Sequence, residues 1–457
     1  MARMTDTAPQ ARAAGRPRVV IIGCGFGGLE AARTLRGQAV DVTVVEKTNH
    51  HLFQPLLYQV ATAGLAAPSI AAPARSLFRR QANVTTLLGE VSAIDPAART
   101  VALAGGAALP YDHLIVAAGA THSYFGHDAW AAHAPGLKTL ADAFEIRRRL
   151  LLAYELAELE SDPERRRALL TFVVIGGGPT GVEMAGTMAE IARHTLKGEF
   201  RHINPAEASV ILLEGAPRVL QAMPERLSER AREQLERLGV QVRLNARVTL
   251  IDSGGLSIES ASGADAASAT SYRLNSMCIV WAAGVAASPL GRLLAQATGA
   301  ECDRAGRIQV APDLSLPGHA EISVVGDLAV AFSHAPGQPP KPVPGVSPVA
   351  KQGGRAAAAN VLARIAGRPT RPFRYRDWGN LATIGRNSAV VDLPTPLGPL
   401  RFSGYFAWLF WLFVHVYFLI GFRSRIVVLT DWAGAYWTFR RYARVVADVR
   451  APGAARD

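Results

Sequence analysis

The fold is decided by the stretch RVVIIGCGFGG, residues 18–28. Its apolar first half predicts a buried strand, and a helical pattern follows at Leu29–Leu35. Gly23 permits the tight turn between them, Gly25 lets the backbone approach a pyrophosphate, and Gly28 lets the helix pack on the strand. Since the N-terminus of a helix attracts phosphates, the stretch predicts a dinucleotide-binding unit.

The same plan occurs a second time. The first copy continues into the apolar strand Asp41–Val45, which ends on Glu46, an acid placed to accept hydrogen bonds from ribose hydroxyls. The second copy contains a strand, a glycine loop, a helix from Val182 and a strand that ends on an acid: Thr171–Ile175, Gly176–Gly181, Ser209–Leu213 and Glu214. Two copies with the same parts predict two dinucleotide-binding domains.

A further repeated strand motif follows each copy. Apolar strands that end in Ala-Ala-Gly lie at Leu114–Gly119 and Cys278–Gly284, each after a short β-type stretch, around 100–111 and 258–274. Later, ISVVGD at residues 322–327 predicts a strand that returns the chain to the first sheet, so that the second domain is an insertion. Two such domains imply two dinucleotides, a tightly held flavin and a nicotinamide, between which a hydride can pass.

The C-terminal part of the chain differs sharply from the rest. Residues 402–422, FSGYFAWLFWLFVHVYFLIGF, contain no Asp, Glu, Lys or Arg, and ten of them are Phe, Tyr or Trp. The run reaches the length of a transmembrane helix, about 20 residues. Three interpretations stay open: a buried core helix, a single span and an interfacial anchor. The sequence favours the anchor, because aromatic side chains prefer the headgroup zone and nearby arginines would meet anionic lipid there.

Composition limits the function classes. The net charge is +12, of which +5 falls in residues 401–457 beside the aromatic run. The basic residues form no compact patch with interleaved base-stacking motifs, so nucleic-acid binding is not expected. Three widely separated cysteines, Cys24, Cys278 and Cys302, exclude a disulfide framework and a Cys-rich metal site, and no metal is expected.

These features predict an α/β protein with two Rossmann-like dinucleotide-binding domains, the second inserted in the first, and a C-terminal helical membrane-binding region. Residues 1–17 have no apolar stretch and predict a disordered tail rather than a signal peptide. The domain boundaries that we expect are 18–124 and 291–365 for the first domain, 125–290 for the inserted domain and 366–457 for the anchoring region.

The ordered motifs resemble those of type II NADH dehydrogenases, the single-subunit NADH:quinone oxidoreductases. The resemblance runs from about Arg18 to Ala447 and is carried by Asn49-His-His-Leu-Phe-Gln-Pro-Leu-Leu-Tyr58, Gly176-Gly-Gly-Pro-Thr-Gly-Val-Glu183, Val325-Gly-Asp327 and the tail through Trp411, His415 and Gly421-Phe-Arg423. It implies FAD in the first domain, NADH as substrate in the second, and electron transfer to a membrane quinone without proton pumping. It also implies a peripheral, monotopic enzyme on the cytoplasmic side of the cell membrane, with a homodimer as an expected assembly.

The resemblance assigns two nucleotide sites. For FAD it implies Gly23, Gly25, Phe26, Gly27, Gly28, Glu46, Lys47, Val91, Asp327 and Ala350. For NADH it implies Gly176, Gly178, Gly181, Glu183, Glu214 and Gly284. Asp327 would bond a flavin ribityl chain, with an ordinary turn Asp as the alternative. The charge of Glu214 would repel a 2′-phosphate, which favours NADH over NADPH.

Three residues are candidates for the chemistry. The resemblance places Glu183 beside the nicotinamide, where it orients the ring or helps proton delivery to quinone; the alternative is a first-turn Glu that complements the helix dipole. The family's quinone-lining signature, Ala-Gln-x-x-x-Gln, reads SPVAKQ at 347–352, so Gln352 matches and Pro348 replaces the first Gln. Lys351 either faces the flavin or quinone edge or is a solvated surface Lys.

Two rival functions stay open. One is another reductase of the same scaffold, such as a sulfide:quinone or ferredoxin reductase. The first needs a cysteine pair that no C-x-x-C or C-x₄-C provides here, and the second needs no aromatic tail. The other rival is a membrane-associated redox sensor that binds nucleotides without turnover, against which Glu183 and the two glycine loops argue.

Overall fold

The computed structural model describes residues 15–261 and 269–446, so most of the tail expected at 1–17 lies outside the described residues. Within them the helices, in chain order, are α1 Phe26–Thr34, α2 Leu57–Ala61, α3 Ala67–Ile70, α4 Ala74–Phe78, α5 Leu140–Leu159, α6 Pro163–Leu169, α7 Pro179–Glu190, α8 Glu225–Arg237, α9 Leu290–Thr298, α10 Ser347–Ile365, α11 Tyr405–Phe418 and α12 Phe422–Thr438.

The strands, in chain order, are β1 Arg18–Ile22, β2 Asp41–Glu46, β3 His50–Leu52, β4 Ala71–Pro73, β5 Val84–Leu88, β6 Val91–Asp95, β7 Thr100–Leu103, β8 Ala108–Pro110, β9 His113–Val116, β10 Ala120–His122, β11 Thr171–Ile175, β12 Ser209–Leu213, β13 Val240–Arg243, β14 Ala246–Asp252, β15 Gly255–Ala261, β16 Ala269–Asn275, β17 Cys278–Trp281, β18 Val285–Ala287, β19 Ile308–Gln309, β20 Ser315–Leu316, β21 His319–Val324, β22 Ala329–Val330, β23 Phe332–Ser333, β24 Lys341–Pro342, β25 Asn380–Gly385, β26 Ser388–Leu393 and β27 Leu400–Gly404.

The described chain divides into two compact units. The first contains residues 15–51, Pro73–Ala120 and Ala287–Tyr375. The second contains Leu52–Ala72, Thr121–Ala286 and residues 376–446. The chain thus leaves the first unit and returns to it, and each unit has its own parallel sheet.

The first unit is built on a sheet in the order β20-β21-β9-β1-β2-β5. β1 lies inside it, in parallel with β2 and β9, and its residues from Val19 to Ile22 are buried, as expected for a parallel strand covered on both faces. β21 pairs in parallel with β9, which confirms the return strand that ISVVGD predicts. α1 packs on α10 so closely that a Cβ on Gly354 would overlap the carbonyl of Gly27.

The second unit repeats the plan with the parallel sheet β13-β12-β11-β17. α7 follows β11 and begins at Pro179 rather than at the predicted Val182, because proline suits the first turn of a helix, where its missing N–H is not needed. α7 also packs against the antiparallel sheet β25-β26-β27, where a Cβ on Gly186 would overlap the carbonyl of Ile384. This close approach brings the residues of β25 to the side of α7.

The aromatic run at 402–422 is divided among several elements. Its first residues end β27, its middle forms α11, and Gly421, with a φ of +87°, precedes α12. Within the described residues, no helix combines the length and the apolar character that a membrane crossing requires.

Candidate functional site

The first glycine loop has the backbone that a close phosphate needs. Gly23 has a φ of +95°, and a Cβ there would lie 2.5 Å from the carbonyl oxygen of Ala117. A Cβ on Gly28 would overlap the carbonyl of Gly23. At the N-cap of α1, Gly25 has open space around it and no side chain caps the helix. The N–H groups of the first turn are therefore available to an anionic ligand.

Glu46 and His51 border this loop. Glu46 accepts a hydrogen bond from the backbone N–H of Cys24 at 2.6 Å. His51 is 1% exposed, and its Nδ1 lies 2.7 Å from the Cys24 carbonyl oxygen, so Nδ1 carries the hydrogen and Nε2 is an acceptor. Burial lowers the pKa of His51 to about 4, which keeps the imidazole neutral. Nε2 is buried and has no partner among the described residues, as expected where a ligand group belongs.

Residues of α10 lie against the same loop. The Nζ of Lys351 lies 5.1 Å from the centre of the Phe26 ring, and burial lowers its pKa to about 8. Gln352 comes next on the helix and is half-buried. A Cβ on Gly27 would lie 3.3 Å from the carbonyl oxygen of Ala350, so the loop and α10 are in contact through their backbones.

The remaining residues expected near the first dinucleotide occupy different parts of the first unit. Asp327 is half-buried in the short turn after β21, and a Cβ on Gly345 would lie 3.5 Å from its Oδ1. Val91 is the half-buried first residue of β6, and Lys47 is exposed just after β2.

The second glycine loop repeats the geometry of the first. Gly176 has a φ of +107°, and a Cβ on Gly181 would overlap its carbonyl. Glu214 accepts a hydrogen bond from the backbone N–H of Gly177 at 2.5 Å, as Glu46 does from Cys24. Gly178 is the N-cap of α7, again without a side-chain cap and with open space around it.

Two further features lie around the second loop. Gly284 allows a close approach, since a Cβ there would lie 2.7 Å from the ring of Phe125, whose side chain is 65% exposed. The guanidinium of Arg218 donates to the carbonyl oxygens of Gln221 and Met223, both at 3.3 Å. Arg218 is therefore held by its own loop, and Glu214 supplies the charge beside the glycines.

Glu183, on α7, is a buried acid that holds its proton. It is 8% exposed, and burial raises its pKa to about 8. A backbone hydrogen bond from Thr383 and the neighbouring indole of Trp411 oppose this rise only in part. The carboxyl is thus protonated at neutral pH, the state in which it can act as a general acid.

Four side chains of the second unit are linked to Glu183, two of them directly and two through the first pair. The buried hydroxyl of Tyr58 is close enough for the Glu183 charge to raise its pKa further, beyond the effect of burial. Gln59 donates to the Tyr58 hydroxyl at 2.9 Å, and Trp432 donates to Gln59 at 2.7 Å. The ring centres of Trp432 and Trp411 are 5.6 Å apart, so Trp432 connects Gln59 back to the indole beside Glu183. We call these five residues the Glu183 cluster.

The far end of α7 has a different character. The carboxylate of Glu190 forms an ion pair with Nη2 of Arg441 at 3.4 Å and accepts a hydrogen bond from the backbone N–H of Arg386. The side chains of the pair are 12% exposed for Glu190 and 14% for Arg441. Arg441 also donates to the carbonyl oxygen of Thr62 at 3.2 Å. The Arg386 guanidinium donates to the Ala435 carbonyl at 2.7 Å and so caps the C-terminus of α12. Glu190 thus joins α7 to the C-terminal segment.

α11 and α12 expose a large apolar face. Trp411 and Ala407 turn inward and are buried. The exposed apolar side chains of this region are Tyr405, Phe406, Leu409, Phe413, Tyr417, Phe422, Ile426, Leu429, Trp437, Tyr442 and Val445. On α11, Tyr405, Leu409, Phe413 and Tyr417 recur at every fourth position, and exposed apolar side chains in such numbers mark an interaction surface.

Sequence reasoning missed most of what surrounds Glu183. It singled out Tyr58, Trp411 and His415 only as parts of motifs, and it gave no role to Gln59 or Trp432. The Gln59–Trp432 bond joins residues 373 positions apart, a pairing that leaves no local pattern. Glu190 had a detectable signal, since it lies two turns after Glu183 on one face of the predicted helix.

Comparison with known families gives two matches. A model described as pyridine nucleotide-disulphide oxidoreductase matches residues 17–354, and one described as NDH2 C-terminal domain matches residues 378–441.

Individual proteins match over nearly the whole chain. The type II NADH:quinone oxidoreductase Ndh of Mycobacterium tuberculosis is 48% identical over 449 residues, which cover 97% of this chain and 93% of that protein. NdhA of the same organism is 49% identical over 426 residues, with coverages of 92% and 87%. The structure of NDH2 from Plasmodium falciparum in complex with NADH shares the fold, with a TM-score of 0.82, 21% identity and coverages of 94% and 99%.

Proposed function

The chain belongs to the pyridine nucleotide-disulphide oxidoreductase family and is a type II NADH:quinone oxidoreductase, and we propose how its residues divide that reaction. FAD binds at the first glycine loop, NADH at the second, and quinone is protonated from Glu183. The observation that carries this assignment is the buried, protonated Glu183 on the helix that starts at the second loop. Reduction of a quinone to a quinol consumes two protons, and such a carboxyl supplies one.

FAD fits the residues of the first unit. The uncapped start of α1 at Gly25 offers N–H groups to a pyrophosphate, and Glu46 lies beside that loop to accept from a ribose. The orphaned acceptor Nε2 of His51 and the carboxylate of Asp327 are available to polar groups of the flavin. When bound, FAD carries two electrons between NADH and quinone, and the protein positions it.

NADH is assigned to the second loop on parallel grounds. The start of α7 at Gly178 offers N–H groups to the pyrophosphate, and Gly176 and Gly181 leave no side chain in the way. The carboxylate of Glu214 is fixed beside the loop and repels a 2′-phosphate, which selects NADH over NADPH. Gly284 leaves space beside Phe125 for the nicotinamide end.

Lys351 and Gln352 complete the proposed machinery. The ammonium of Lys351 lies over Phe26 of the first glycine loop, where a positive charge offsets negative charge that builds up on bound groups. Gln352, beside it on α10, is the polar residue that would contact the quinone head group.

The exposed face of α11 and α12 is proposed to dock on the cytoplasmic surface of the cell membrane as a peripheral, monotopic anchor. Its aromatic side chains prefer the headgroup zone, and the exposed Arg423 and Arg440 lie in the same part of the chain, where they can meet anionic lipid. The homodimer expected from the resemblance belongs to this proposal, and the mass of the detergent-solubilised particle tests it.

Thiol-using relatives are disfavoured by the state of the cysteines. All three lie in the described part of the chain and are unpaired. Cys24 and Cys278 are buried, and burial raises the pKa of each thiol to about 12, which suppresses the reactive thiolate.

The proposed function is tested with purified protein, liposomes that contain a quinone, and NADH or NADPH. We expect quinone-dependent oxidation of NADH, much slower oxidation of NADPH, and sedimentation of the protein with anionic vesicles. If the protein does not oxidise NADH, the catalytic assignment is contradicted. Equal rates with NADH and NADPH would contradict the role given to Glu214.

A further inference from the structure

The orientation of the Gln59 amide follows from its neighbours in the Glu183 cluster. The indole N–H of Trp432 can only donate, so the Gln59 atom 2.7 Å from it must be the amide oxygen. The amide nitrogen then faces the Tyr58 oxygen at 2.9 Å and donates to it. One donor-only group therefore fixes the direction of both hydrogen bonds.

Tyr58 is left with its own hydrogen uncommitted. Its oxygen accepts from Gln59, so its hydrogen points elsewhere, and the described residues provide no acceptor for it. Tyr58 is 4% exposed, and its raised pKa keeps the hydroxyl protonated. A buried O–H without an acceptor is costly, which indicates that a ligand supplies one.

The neighbouring groups are donors as well. Trp411 is 2% exposed, and its indole N–H lies beside the Glu183 carboxyl but outside ordinary hydrogen-bond geometry. The Glu183 carboxyl beside it also carries a hydrogen at neutral pH. The cluster therefore contains three hydrogen-bond donors, a phenol, an indole and a carboxylic acid. A ligand atom that can only accept hydrogen bonds would be a suitable partner for them. A quinone carbonyl oxygen is such an atom.

We propose that Tyr58 is a catalytic residue that donates a hydrogen bond to a carbonyl oxygen of the quinone, and that Gln59 and Trp432 are positioning residues that keep its hydrogen turned toward that oxygen. This rests on the proposed function, in which Glu183 protonates the quinone. Two electrons originating from NADH reach the quinone, and negative charge grows on the carbonyl oxygen. Tyr58 stabilises this charge and keeps its proton. The O–H bond of Glu183 breaks as one quinol O–H forms, and the proton that leaves NADH with its hydride forms the second. A proton taken up from solvent restores Glu183, so one NADH, one quinone and one solvent proton give NAD⁺ and the quinol.

The first test is Y58F, which removes the hydroxyl and keeps the ring. We expect kcat for quinone reduction to fall about 10²-fold, the effect of removing one preorganised donor to a developing oxyanion. The rate with ferricyanide, which takes up electrons and no protons, stays at the wild-type value because NADH oxidation does not involve Tyr58.

The second test is W432F, which removes the group that fixes the Gln59 amide. The amide then turns its oxygen to Tyr58, and Tyr58 donates to Gln59 instead of to the quinone. We expect a smaller loss of kcat than in Y58F, and no further loss when W432F is added to Y58F. W378F is the matched control, because Trp378 is a half-buried tryptophan of the same unit that stacks on Phe418, outside the cluster.

A spectroscopic measurement separates donation from a merely structural role. With a quinone labelled with ¹³C at its carbonyls, the infrared carbonyl band of the bound quinone moves to higher frequency in Y58F and W432F, because a hydrogen bond is lost, and stays in place in W378F. Should Y58F not fold, the pair W432F and W378F decides the question by itself.

The proposal is overturned if Y58F or W432F keeps both the wild-type quinone kcat and the wild-type carbonyl band, or if the losses of the two variants multiply in the double variant. A wild-type protein that reduces ferricyanide with NADH and fails to reduce quinone would instead contradict the proposed function. The two failures are therefore distinguishable.

Discussion

The two ends of α7 treat a buried glutamate in opposite ways. Near the start of the helix, Glu183 is surrounded by Tyr58, Trp411 and the backbone of Thr383, and burial raises its pKa to about 8. Two turns later Glu190 is almost as little exposed, yet it receives the guanidinium of Arg441 and a backbone N–H. Burial is similar at the two positions, and the partners differ.

The two glutamates differ in the partners that their surroundings provide. Desolvation disfavours the charged form of Glu183, whereas the carboxylate of Glu190 has the guanidinium of Arg441 3.4 Å away. Glu183 consequently holds a transferable proton, while Glu190 acts as a structural tie between α7 and the C-terminal segment. The start of α7 thus carries the proposed proton donor, and its end holds the C-terminal segment.

The largest effect is expected on stability, from E190A. The substitution leaves the guanidinium of Arg441 buried without its ion partner, which costs about 3–5 kcal/mol of unfolding free energy. Urea unfolding measures this loss. The matched control is E199A, which breaks the more exposed pair with Arg444 and should cost about 1 kcal/mol or less. Equal losses in the two variants would show that Glu190 is no structural tie.

The next effect is expected on catalysis, from E183Q. The amide cannot give up a proton, so kcat with quinone should fall by about 10²-fold or more, the range of a positioned general acid. Because the amide resembles the neutral carboxyl that the fold already accommodates, stability should not fall as it does in E190A. Wild-type quinone turnover in E183Q would remove Glu183 from the chemistry.

A smaller effect is expected from pH. Quinone reduction should decline as pH rises through about 8, because Glu183 then loses its proton. The nearby groups do not titrate there: the pKa of Tyr58, whose hydroxyl lies near the carboxyl, is well above its usual value. Burial lowers the pKa of His415, which stacks on Trp411, to about 4.

E183Q is the control for this profile, and it should lack the alkaline decline. A decline that persists in E183Q would belong to another group, such as Lys351, whose pKa is lowered to about 8. The folded state also binds a proton at Glu183 that the unfolded chain releases above its ordinary pKa of 4.5. The contribution of Glu183 to stability therefore falls as pH rises from about 4.5 to about 8 and is lost above that.

The smallest effect is expected from R386M, which keeps the backbone N–H that Glu190 accepts. It removes the guanidinium that caps α12, and with it the contact at 3.6 Å over the Phe439 ring. A cation at a helix C-terminus contributes about 0.3–1 kcal/mol, so the unfolding free energy should drop by roughly that amount. A loss as large as in E190A would mean that the cap, rather than the ion pair, holds the C-terminal segment.

Much of the fold could be predicted from the sequence because its signals are local. The strands Thr171–Ile175 and Ser209–Leu213 are confirmed to the residue, since apolar runs and glycine turns mark their ends. The parallel return of β21 to the first sheet is also confirmed.

What could not be predicted depends on contacts between distant segments. The spacing of motifs pointed to Glu183, but its charge state follows from Tyr58, Thr383 and Trp411, which come from three separate elements. The start of α7 was predicted three residues late because the proline at its first turn was not counted as helical. The aromatic run is interrupted at Gly421, which adopts a positive φ, and the apolar residues on both sides gave no sign of this interruption.

The role of Glu183 as the proton donor to quinone is tested by anaerobic rapid mixing of the FAD-loaded protein with NADH and then with a quinone. We expect the visible flavin absorbance of wild-type protein and of E183Q to bleach equally fast with NADH. It then returns quickly on quinone addition in wild type and about 10²-fold more slowly in E183Q. A chain that does not bleach with NADH, or an E183Q protein that is reoxidised as fast as wild type, would contradict it.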